Sequence, residues 1–155
     1  MTTAKFVKTP TKSNTAKRLQ IGSYVLFAAG SMDLIRGFMH TFNIRYAAAN
    51  IAQVDLASPL AGDFLLQMSA FGVSNFLTGM FAILVALKAK ELAPLMLAII
   101  PVTYLLGIIS MRMNNVQPTA AFNGQYMMYV YLTICVVTAL YYYVPIWLNH
   151  GSAES

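Results

Sequence analysis

Charge is scarce in this sequence. Five acidic and ten basic residues are spread over 155 positions, so charged residues are 10% of the chain against 58% hydrophobic. Soluble domains carry about 25% charged residues. A small soluble domain also has much surface to cover for its volume. With so few charges this chain cannot cover itself in water, and a bilayer removes the need.

Cysteine is almost missing. Cys135 stands alone, which excludes an intramolecular disulfide and any CxxC pair for metal or redox work. It lies inside an apolar run and reads as a small buried or lipid-facing side chain. Histidine is limited to His40 and His150. In the topology derived below they face opposite sides of a membrane, which excludes a shared metal site. No HExxH, GxSxG, Gly–Lys–Ser/Thr phosphate loop or Rossmann fingerprint occurs, and no residue is identified as catalytic. The sequence therefore favours a protein that is not an enzyme.

What the sequence does hold is apolar runs cut by polar gaps, with a mean hydropathy of +0.61. At about 1.5 Å per residue, some 20 helical residues cross a hydrocarbon core of about 30 Å. Four runs meet that length: 19–40, 64–87, 92–111 and 125–147. The expected fold is all-α, a polytopic four-helix membrane bundle occupying residues 19–148. A basic tail, disordered by composition, precedes it over 1–18, and a free tail follows over 149–155. A cleaved signal peptide fits poorly, because apolar residues continue past the small residues Ala28 and Gly30.

The gap at 41–63 is too polar to span. Ile44, Ala47, Ala48, Ile51 and Val54 recur there at helical spacing, with Arg45, Asn50, Gln53 and Asp55 elsewhere. This predicts an amphipathic helix at the interface between the first two spans, ending before Ser58-Pro59. Ser69, Gly72, Asn75 and Gly79 punctuate the second span with small or polar residues that let helices approach closely. Pro94 suits the first turn of the third span, and Pro101 should kink it. Tyrosines 126, 129 and 131 at one end of the fourth span, and Tyr141, Tyr142, Tyr143 and Trp147 at the other, read as interfacial belts.

Lysine and arginine set the orientation. With the N-terminus inside, all six lysines fall on the cytoplasmic side, while Arg36, Arg45 and Arg112 do not. Four spans return the C-terminus to the same side. The expected location is a bacterial cytoplasmic membrane. The net charge of +5 is carried by tail and loops, so it reads as membrane orientation and not as nucleic-acid binding.

One face carries the chemistry. Asp33, Arg36, Gly37 and His40 are spaced for a single helix face. Asp33 lies roughly 10 Å inside the outer end of the first span. A charge at that depth costs on the order of a few kcal/mol unless paired or facing water. Asp63, Gln67, Asn75, Arg112, Asn123 and Gln125 are the polar residues an antiparallel bundle would bring near it. The candidate cluster is Asp33, Arg36, His40, Asn75 and Arg112. Three readings fit it. The first is a structural ion pair. The second is a cavity for a lipid- or quinone-like molecule whose head meets arginine and whose tail meets Met and Phe. The third is a proton-coupling site for export, disfavoured because Arg36 beside Asp33 keeps the carboxylate ionised.

The segment Ala70-Phe71-Gly72-Val73-Ser74-Asn75-Phe76-Leu77-Thr78-Gly79, and the third span with its proline and late glycine, resemble the DoxX-like small four-helix membrane proteins. That resemblance covers roughly 20–147 in layout. It implies a compact bundle with a polar first helix, and for some members a role as membrane subunit of a quinone-linked oxidoreductase. It supplies no catalytic residue. The expected function is a membrane accessory subunit or lipophilic-ligand-binding bundle. Its expected partners are the bilayer and a larger membrane complex or a second copy. A redox or lipid-modifying subunit is the alternative.

Overall fold

The computed structural model describes residues 12–116 and 124–151, with side chains over 14–116 and 124–148. Among the described residues all regular structure is helical. Four long helices occur: α1 (Lys12–Thr41), α3 (Ala61–Lys88), α4 (Ala93–Met113) and α5 (Gln125–Gly151). A short α2 (Ile44–Tyr46) sits between the first two and runs directly into a π-helical turn, Ala47–Ile51.

Three stretches are long and apolar enough to cross a membrane: Ala61–Lys88, Lys90–Met113 and Gln125–Leu148. Their outer faces expose large apolar side chains such as Leu66, Leu77, Leu106 and Trp147. Contiguous exposed apolar surface of that kind marks a surface that lipid or protein covers, and it points to a membrane protein. Helix α1 is not among the three. Gln20, Ser23, Ser31, Asp33 and Arg36 dilute its apolar content.

Helix α1 begins earlier than composition indicates. Residues 12–18 are helical, where a disordered tail was expected. At the end of that stretch Arg18 packs its guanidinium over the Tyr141 ring, 5.3 Å from the centroid, a cation–π contact that composition cannot reveal. The rest of the expected tail, 1–11, lies outside the described residues. At the other end α5 continues to Gly151, into the segment expected to be free.

Small residues set the closest pairing. Helices α1 and α3 run antiparallel, and three positions of α1 spaced seven apart, Ser23, Gly30 and Gly37, meet Ala86, Gly79 and Gly72. Ser23 Oγ donates to the Ala86 carbonyl. A Cβ on Gly30 would stand 2.8 Å from the Gly79 carbonyl oxygen, and one on Gly79 would stand 2.7 Å from that of Gly30. A Cβ on Gly72 would meet Thr41 Cγ2 at 2.7 Å. Close backbone approach is what small residues permit between apolar helices.

The buried core lies toward the end where α1 starts. Leu26, Ala82, Val85, Ala86, Ala93, Leu97, Cys135 and Ala139 form one cluster drawn from all four long helices. Pro94 sits in the first turn of α4, where its missing N–H costs nothing. Beyond Pro101 the packing of α4 thins: Tyr104 is half-buried, and every residue from Leu105 to Met113 is exposed. The fold is thus tightly packed at one end and open at the other. Lys17, Arg18, Lys88 and Lys90 gather at the tight end, because α1 starts there, α3 ends there, and Gly22 abuts Pro94.

The linker after α1 is helical but shorter than its pattern. Ala47 and Ala48 are fully buried while Arg45 and Asn50 face out. The turn closes through Ala52 N–H to Ala47 C=O. Gln53 then adopts φ 54°, in the left-handed region, which ends the helical run before Val54.

Candidate functional site

The open end carries the polar residues of α1. Asp33 and Arg36 are one helical turn apart, and Arg36 Nη1 lies 3.3 Å from Asp33 Oδ1. Their side chains are only 12% and 13% exposed. An ion pair this buried must have its remaining lone pairs and protons satisfied by other groups. Two helices supply them. Tyr131 of α5 donates its hydroxyl to Asp33 Oδ2 at 3.2 Å. Arg36 Nη1 also donates to the Tyr104 hydroxyl of α4 at 3.4 Å and approaches Met128 Sδ of α5 at 3.8 Å. The pair therefore ties α1 to both α4 and α5.

All of the polar contacts of Arg36 fall on Nη1. Nη2 and Nε have no hydrogen-bond partner among the described residues. Below the guanidinium lies Phe71 of α3, its centroid 5.7 Å from Cζ. The same ring packs against His40 at 5.6 Å between centroids. Asn75, 6% exposed, places its side-chain nitrogen 3.4 Å from His40 Nδ1.

A cavity of about 250 Å³ opens beside these groups. Arg36, His40 and Phe71 line its polar end, and Met39, Ile51 and Met127 its walls. A second cavity of about 310 Å³ continues between α1 and α5, lined by Val25, Ala28, Val130, Ile134 and Cys135. The two share Met32, Met127 and Tyr131. They lie side by side between α1 and α5, the first with Arg36 and His40 in its lining and the second lined by apolar surface. A lining of this kind has room for a small polar head beside an apolar body.

Of the residues expected from sequence, Asp33, Arg36, His40 and Asn75 meet here. Arg112 does not join them: it is exposed in the last turn of α4 and makes none of the contacts above. Asp63 and Gln67 are likewise exposed, Gln125 is half-buried at the start of α5, and Asn123 lies outside the described residues. Tyr104, Met128 and Tyr131 complete the site, although none is in the expected cluster. Tyr131 has the outline of an interfacial belt residue in sequence, yet its hydroxyl points inward to a carboxylate.

Comparison of the chain with family models, with curated proteins and with solved structures finds no match.

Proposed function

We propose that this chain is a four-span integral membrane protein that holds a lipophilic small molecule in the groove between α1 and α5. The observation that carries this reading is the adjacency of the two cavities, which share Met32, Met127 and Tyr131, with Arg36 and His40 lining the first and apolar surface the second. Among the described residues little lies outside the helices, which suits an accessory subunit docked to a larger membrane complex. The proposal extends to a DoxX-like relationship and to a location in a bacterial cytoplasmic membrane.

The register of α1 on α3 supports a fourth span. The seam from Ser23 to Gly37 runs along α3 from Ala86 to Gly72, so a membrane-crossing α3 carries α1 across with it. The pairing of Asp33 with Arg36 and Tyr131 lowers the cost of that passage. Lys17, Arg18, Lys88 and Lys90 at one end support cytoplasmic termini.

The test is purification from native membranes in a mild detergent, followed by mass spectrometry of the lipids and proteins retained. A lipophilic molecule held by the wild-type chain and lost from Met32→Trp, which fills the middle of the groove, is the expected result. Equal retention by a folded Met32→Trp overturns the groove. Failure to recover any membrane-protein partner overturns the accessory role.

A further inference from the structure

We infer that the occupant of the α1–α5 groove is a single-chain lipid whose head is uncharged and accepts hydrogen bonds, such as a glycerol monoester. This deepens the reading of the groove as a lipid site and rests on it.

Charge balance selects the head. Among the described residues, Arg36 is the only one lining the groove that carries a full charge, and Asp33 already balances it at 3.3 Å. Arg45 and Arg112 are exposed and line neither cavity. A phosphate or carboxylate entering beside Arg36 would thus add an uncompensated charge in a poorly solvated place, which is costly. An uncharged head adds none.

Hydrogen-bonding capacity selects acceptors. Nη2 and Nε of Arg36 are donors with no partner among the described residues. The Tyr131 hydroxyl already gives its proton to Asp33, and His40, which also lines the head end, has its Nδ1 3.4 Å from the Asn75 amide nitrogen. The cavity thus offers donors to an incoming ester or ketone oxygen and has little to offer a donor-rich amine.

Shape selects one chain. From His40 to Val25 the groove follows α1 for fifteen residues, about 22 Å at the helical rise. The two adjoining cavities along that length, which share Met32, Met127 and Tyr131, hold only about 250 and 310 Å³. They suit an extended chain and not a pair of them.

The experiment uses the full chain in phosphatidylcholine nanodiscs with tritiated 1-monoolein as probe. Unlabelled 1-monoolein competes against 1-oleoyl lysophosphatidic acid, which has the same chain and glycerol with a phosphate added. The expected result is displaceable binding in which the phosphate-bearing lipid competes about tenfold or more weakly. Asp33→Asn, which leaves Arg36 without its counter-charge, should reverse that order, and Arg36→Gln should weaken both competitors. If the phosphate-bearing lipid competes equally or better on the wild type, the uncharged head is wrong and the groove stands. If monoolein shows no displaceable binding, or binds a folded Met32→Trp unchanged, the groove itself is wrong. Should Asp33→Asn fail to fold, the order of the two lipids on the wild type decides alone.

Discussion

Gly30 and Gly79 touch backbone to backbone, each carbonyl standing within 2.8 Å of where the other's Cβ would be. Neither backbone can move aside as a flexible side chain could. Gly30→Ala or Gly79→Ala should therefore push α1 and α3 apart, at a cost of about 1–3 kcal/mol. Gly107 is the control, since a Cβ there meets nothing within 4 Å. Gly107→Ala should be neutral or stabilise by up to about 1 kcal/mol through helix propensity. Reversible unfolding in mixed micelles measures all three, and equal effects at the three positions would remove the seam from the account of stability.

The bond from Tyr131 to Asp33 predicts an asymmetry between two tyrosines. Tyr131→Phe leaves a carboxylate oxygen, on a side chain 12% exposed, without its donor. The expected loss is about 1–3 kcal/mol. Tyr104 accepts from Arg36 at 3.4 Å, a long contact that Tyr104→Phe gives up for about 0.5 kcal/mol or less. With Asp33→Asn the Tyr131→Phe change should lose most of its effect, because the partner charge is gone. Additive losses in that double-mutant cycle would show that the two side chains do not act together.

Much of this architecture was legible because apolar runs need no partner to be recognised. The runs at 64–87, 92–111 and 125–147 fall within the apolar stretches Ala61–Lys88, Lys90–Met113 and Gln125–Leu148. The shared face of Asp33, Arg36 and His40 followed from helical spacing alone. What spacing cannot supply is the identity of the facing helix. Tyr131 and Met128 reach the ion pair from almost a hundred residues away, and only packing sets that register. Arg112 failed for the same reason: nearness in depth was inferred, but the end of α4 carries it on an exposed surface. The packing of Arg18 on Tyr141 is likewise a tertiary fact.

Asn75 and His40 should be coupled. Asn75 is nearly inaccessible, and its amide nitrogen has His40 Nδ1 at 3.4 Å as its side-chain partner. His40→Ala should thus cost more in the wild type than in Asn75→Ala, with a coupling of about 0.6 kcal/mol, the usual size between membrane helices. A coupling of zero in the cycle would reduce the contact to proximity. Loss of His40 should also weaken ligand retention, since His40 lines the head end of the cavity while Asn75 does not.

Whether α1 crosses the membrane can be decided with single cysteines. Cys135 is 1% exposed in the core, so Cys135→Ala supplies a background free of native thiol. Lys17→Cys marks the start of α1, Lys90→Cys the turn between α3 and α4, and Ala57→Cys the exposed linker before α3. A membrane-impermeant maleimide applied to sealed, right-side-out vesicles should label Ala57→Cys and spare the other two until the vesicles are opened. Labelling of Lys17→Cys together with Ala57→Cys would place both ends of α1 outside and leave only three spans. Gly30 and Gly79 make that outcome hard to reconcile with the packing, since their backbone contact holds α1 along the length of α3. Three spans would therefore also predict that Gly30→Ala is silent, and the two measurements must agree.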